Sequence, residues 1–111
     1  METINKLWGS EQVLYNGPTG YCMKILTLNP GFQSSLHFHP TKHETFLVVE
    51  GCCDLEVAGE THRFVRGDFM VVPPGIQHRF KGVDGKCVIV ESSTHHSDDD
   101  VIRIEPSKEI K

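Results

Sequence analysis

Seven histidines stand in a chain of 111 residues, and three of them, with one glutamate, fall at spacings that suit a metal ion. Residues 34–39 read as a strand, and the two-residue period of a strand places Ser35, His37 and His39 on one face and Leu36 and Phe38 on the other. Two imidazoles on one strand face can converge on a single ion. Pro40 ends the strand, and Glu44 opens the next apolar run, where Glu44, Phe46 and Val48 share a face. On a later run Ile76, His78 and Phe80 do the same. One carboxylate and three imidazoles can therefore enter one cavity from faces that are otherwise apolar. Left unpaired there, such groups cost roughly several kcal/mol each. Neutral imidazoles with a carboxylate are the donors that first-row transition ions take, so Zn, Mn, Fe, Ni or Cu is expected on His37, His39, Glu44 and His78.

Short strands must position these side chains. Turn signals recur at Gly17-Pro18, Asn29-Pro30-Gly31, His39-Pro40, Gly51, Ala58-Gly59-Glu60, Gly67-Asp68, Pro73-Pro74-Gly75 and Asp84-Gly85. Runs rich in Val, Ile, Phe, Thr and Leu lie between them: residues 21–28, 34–39, 44–50, 54–58, 61–65, 69–72, 76–80 and 86–92. None carries a helical apolar stripe over three turns, so the period predicts an all-β sandwich or barrel. No repeat, low-complexity tract or linker interrupts the chain, and residues 1–111 are expected to form a single domain.

Charge and composition narrow the partners. Eleven Lys and Arg against fifteen Asp and Glu give a net charge of -4, which argues against a phosphate-backbone binder, so no nucleic acid is expected. No run approaches a membrane span, and the N-terminal residues show no apolar core behind a basic cluster, so a cytoplasmic protein is expected. Cys22, Cys52, Cys53 and Cys87 form no C-x-x-C pair and are expected to be reduced.

The spacings G-x5-H-x-H-x4-E-x6-G from Gly31 to Gly51 and G-x5-P-x-G-x2-H from Gly67 to His78 resemble the two motifs of the cupin superfamily. The asparagine that usually closes the second motif is replaced by Gly82. The resemblance implies a double-stranded β-helix, a jelly-roll barrel with the metal near one mouth on His37, His39, Glu44 and His78. Along most of the chain the sequence is similar to the cupin domain of type II phosphomannose isomerases with mannose-1-phosphate guanylyltransferase activity, through residues 7–11, 35–39, 44–51 and 98–103. Where that group commonly has glutamine this chain has His37, and its tail after Arg103 lacks the group's Tyr-Gly-Arg ending. Residues 91–100 also resemble D-lyxose isomerase-like cupins. These likenesses imply a metal-dependent isomerase of a sugar or sugar phosphate; the alternatives are an Fe(II)-dependent dioxygenase and a carbohydrate-binding or other small-molecule-binding module without catalysis.

Aldose–ketose interconversion needs a polarised carbonyl and a base that moves a proton between neighbouring carbons. Lys42 and His43, between two of the expected ligands, and Glu91 are the candidate catalytic residues, with His95 and His96 further out. The bland reading assigns His62, Lys24, Arg63, Arg66 and Lys81 to the surface, turns Arg79 outward from the metal, and pairs Arg103 with Asp98, Asp99 and Asp100. A phosphate pocket needs an inward Arg or Lys, and spacing alone identifies none. The segment around Trp8 and Val13 is expected to lie across a partner or its own barrel, and a homodimer is expected.

Overall fold

The computed structural model describes residues 2–110, which form eleven β-strands and no helix. In chain order these are β1 (Glu2–Lys6), β2 (Gly9–Asn16), β3 (Tyr21–Leu28), β4 (Phe32–Gln33), β5 (Leu36–Phe38), β6 (Glu44–Val57), β7 (Glu60–Val65), β8 (Phe69–Val72), β9 (His78–Thr94), β10 (Ile102–Glu105) and β11 (Lys108–Glu109). All pairings are antiparallel, and the sheet curls into an all-β jelly-roll barrel.

Two long strands organise the barrel. The first half of β6 lies between β8 and the second half of β9, and its second half lies between β7 and the first half of β9. The second half of β9 pairs on its other side with β3, while its first half meets β4 and β5. Expectation gave two strands at 44–50 and 54–58, and two more at 76–80 and 86–92; each couple is one continuous strand. The chain does not reverse at Gly51 but passes through register shifts between Val48 and Asp54. Those bulges change which parity faces inward: Glu44, Phe46 and Val48 are buried before them, Cys53 and Leu55 after. One strand can thereby line both halves of the barrel. Gly51 sits among the bulges at φ +75°, and a Cβ there would stand 2.2 Å from the Lys86 carbonyl oxygen, so only glycine fits.

The expected strand at 34–39 is interrupted. The Ser34 N–H donates to the Phe80 carbonyl, and the Ser34 hydroxyl accepts the Phe80 N–H, both at 2.9 Å, leaving β4 and β5 as short strands on either side. The N-terminal residues make a hairpin that turn signals did not mark. Its turn carries Trp8, buried in the chain's own core, so this segment lies across its own barrel. The core beneath the histidines is built by Leu28, Leu55, Val72 and Ile89, with Phe46 edge-on to Phe80 at 4.8 Å. Each such side chain contributes about 1.5–3 kcal/mol on burial. Gly82, where the motif resemblance leads one to expect asparagine, is buried, and a Cβ would lie 2.0 Å from the Asn29 carbonyl oxygen. Close backbone contact excludes any side chain at that point.

Candidate metal centre

β5 supplies His37, the loop after it His39 and Lys42, β6 supplies Glu44, and β9 supplies His78 and Glu91. His37 and His78 are direct cross-strand partners, which puts both rings on one face with centroids 4.6 Å apart. The three imidazoles of His37, His39 and His78 each offer a nitrogen, and these atoms lie within 4.8 Å of one another, a group that could hold a metal ion. Glu44 Oε1 is 3.4 Å from His39 Nε2 and 3.3 Å from His78 Nε2.

Backbone contacts fix which nitrogen of each ring faces the others. His37 Nδ1 lies 3.0 Å from the Ser35 carbonyl, His39 Nδ1 2.7 Å from that of Asp100 and His78 Nδ1 2.9 Å from that of Ile76. A carbonyl only accepts, so all three rings carry their proton on Nδ1 and present a bare Nε2 to the centre when neutral. Burial, and then the proximity of His78, push His37 down to about 3, and burial likewise lowers His39, so both are neutral at pH 7. Burial works against the Glu44 carboxylate, yet His78 and His39, when their rings carry a proton toward it, together with the Lys42 ammonium outweigh burial and hold it below the usual range. Glu44 Oε1 and His78 Nε2 are both buried without a hydrogen-bond donor. With the rings neutral, lone pairs of one carboxylate and two imidazoles thus converge, an arrangement that repels unless a cation or a proton is held among them. The donor set fits a divalent ion, with backbone carbonyls orienting each ring from behind.

Beside this cluster runs a buried charge network. Lys42 Nζ is 2.7 Å from Glu91 Oε2 and 3.4 Å from Glu44 Oε2, and it donates to His96 Nδ1 at 3.0 Å. His96 donates its Nε2–H to Asp98 at 3.0 Å. Burial raises the Glu91 pKa against the pull of Lys42; burial would lower Lys42, but Glu91 and Glu44 more than compensate. The donors and this network line one cavity of 420 Å³, open to the β1–β2 hairpin and to β10.

Of the candidates from sequence, His37, His39, Glu44, His78, Lys42, Glu91 and His96 all line that cavity. His43 does not: its side chain is exposed, and its backbone N–H bonds to the Thr94 hydroxyl. His95 turns away to the Gly17 carbonyl. Two bland readings need correction, those of Lys24 and Arg103. Lys24 is 4% exposed rather than a surface charge, lining the cavity with its ammonium 2.9 Å from Glu11. Its position was legible, because it alternates with Leu26 and Leu28 on β3. Arg79 points away from the cavity, as expected, and is buried and ion-paired to Glu105. Arg103 has no ion pair to the acidic run: Asp98 is taken by His96 and Asp100 by the Thr41 N–H.

Comparisons with known proteins agree with this fold. The family described as Cupin domain matches residues 24–91. The mannose-1-phosphate guanylyltransferase RfbM of Salmonella typhimurium is 25% identical over 109 residues, covering 94% of this chain and 22% of that protein. Quercetin 2,3-dioxygenase of Bacillus subtilis is 33% identical over 72 residues, 62% of this chain and 21% of that one. The chain spans only about a fifth of the length of these two curated relatives. Among solved structures, KdgF from Halomonas sp. superposes with a TM-score of 0.79 at 18% identity, covering 89% of this chain and 90% of that one, a likeness of fold.

Proposed function

This chain belongs to the cupin family, and from that premise we propose that it is a metal-dependent isomerase of a sugar or sugar phosphate, with His37, His39, Glu44 and His78 holding the ion. The observation that carries the reading is the buried Lys42–Glu91 pair in the wall of the same cavity as the metal donors. A buried carboxylate beside the metal donors gives the site a proton acceptor that ion binding alone does not require. The ion, when bound, supplies a Lewis acid that polarises the substrate carbonyl. Glu91 takes the proton from C2 of the aldose onto a carboxylate oxygen, the C2 electron pair forms the C1–C2 double bond, and the proton of the O2 hydroxyl passes to the carbonyl oxygen O1. Returning the Glu91 proton to C1, as O2 becomes the new carbonyl oxygen, completes the ketose. Lys42, held by His96, keeps Glu91 aimed and balances its charge whenever it is ionised. Apolar Phe46 and Phe80 floor the cavity and limit water around the base. The cavity volume suits one small molecule rather than a polymer. The same reading takes residues 1–111 as one domain acting in the cytoplasm as a homodimer.

Metal analysis of purified protein, followed by incubation of Zn, Mn, Fe and Ni forms with aldoses and aldose phosphates in D2O, tests this. Conversion to ketose is expected, with deuterium entering C1 only in those turnovers in which the Glu91 proton exchanges with solvent before its return, and with at least a hundredfold loss of rate in Glu91→Gln. Oxygen uptake by the Fe form without sugar turnover would replace the reading with a dioxygenase. Sugar binding without turnover in any metal form would leave a binding module.

A further inference from the structure

The geometry points to Arg103 as the residue that selects an anionic substrate, a phosphate or carboxylate carried at the end remote from the reacting carbon. This inference rests on the cavity being the substrate site, as proposed above. Arg103 lies directly opposite His37 in the β5–β10 pairing. Opposed residues of antiparallel strands project to the same side, with Cβ atoms about 4.5–5.5 Å apart. The His37 ring is in the metal cluster, so Arg103 rises from the same face of the sheet, and it lines the same cavity. β10 is tied down two residues further on, where Glu105 meets the buried Arg79 guanidinium.

Charge singles this arginine out. Four cationic residues of the Lys and Arg type line the cavity: Lys6, Lys24, Lys42 and Arg103. Lys6 and Lys24 share Glu11, and Lys42 is held by Glu44 and Glu91. Arg103 is exposed and has no carboxylate partner among the described residues. A guanidinium with a free fork of donors is matched by a carboxylate or phosphate, which it binds through two parallel hydrogen bonds. A substrate with its reacting carbon at the histidines and its acid group toward β10 would satisfy both ends of the cavity.

Calorimetric titration of the metal-loaded protein with sorbitol, sorbitol 6-phosphate and gluconate tests the assignment without requiring turnover. At least one anionic probe is expected to bind tenfold or more tightly than sorbitol. Arg103→Ala should erase that advantage and leave sorbitol affinity unchanged, and Arg103→Lys should keep part of it. Preference for sorbitol 6-phosphate assigns a sugar phosphate, and preference for gluconate a sugar acid; either supports the inference. Equal binding of all three probes by the wild type, or an anion preference that survives Arg103→Ala, overturns it. Anion binding through Arg103 in a protein that turns over no aldose would sink the isomerase reading and leave this one standing.

Discussion

Replacing Lys42 by methionine asks how much the buried charge network contributes. The ammonium is 2% exposed and lies 2.7 Å from Glu91 and 3.4 Å from Glu44. Methionine preserves most of the stem and its packing, so the loss isolates the charge and its hydrogen bonds. Two buried carboxylates then face each other without a cation, and removing one partner of a buried pair typically costs about 3–5 kcal/mol. For a domain near this size that corresponds to a fall in Tm of roughly 15–30 °C. Urea unfolding in the presence of a chelator is the suitable assay, because a bound metal would mask part of the effect. The double variant Lys42→Met/Glu91→Leu should recover about 1–3 kcal/mol relative to Lys42→Met, since the stranded Glu91 carboxylate is gone. If Lys42→Met unfolded within about 0.5 kcal/mol of wild type, or if the two substitutions added without coupling, the network would not be the stabilising element described here.

Metal loading is a second expectation: an ion at one hundred times its Kd should stabilise the fold by about 2.7 kcal/mol, read as a rise in Tm, and Glu44→Gln should lose most of that rise. Gly82→Ala drives a methyl into the Asn29 carbonyl 2.0 Å away and should destabilise by more than about 1 kcal/mol in urea unfolding. Glu11 is raised by burial but pulled further down by Lys24 and Lys6, so its folded pKa lies below its unfolded one near 4.5. Its stabilising contribution is complete above pH 4.5 and is lost as pH falls through the folded value; Glu11→Gln should therefore show a flatter decline of stability below pH 4.5 than the wild type.

Sequence carried a large part of this picture because two signals act locally. Strand alternation turns Glu44 and Phe46, and His78 and Phe80, to common faces, while His39 reaches the cluster from the loop just past β5, and turn residues mark where most strands end. The same alternation held Lys24 inward between Cys22 and Leu26, although its charge invites a surface reading. Local signals misjudged Gly51, where a positive φ serves a bulge inside one long strand rather than a reversal between two. They gave no sign of the N-terminal hairpin, whose strands alternate weakly and are held by Trp8 entering the core.

What the sequence by itself determined is the chemistry available: three imidazoles and a carboxylate at strand spacing, in a short acidic chain of β-strands. Tertiary structure decided which charges meet. Lys42 reaches Glu91, 49 positions away in the sequence, Arg79 is buried under Glu105, and Arg103 stands opposite His37 instead of pairing with the neighbouring aspartates. The physical reason is that periodicity fixes the face a side chain takes on its own strand, whereas its partner depends on cross-strand register. Register is set by bulges and by the closure of the barrel, which no single segment encodes.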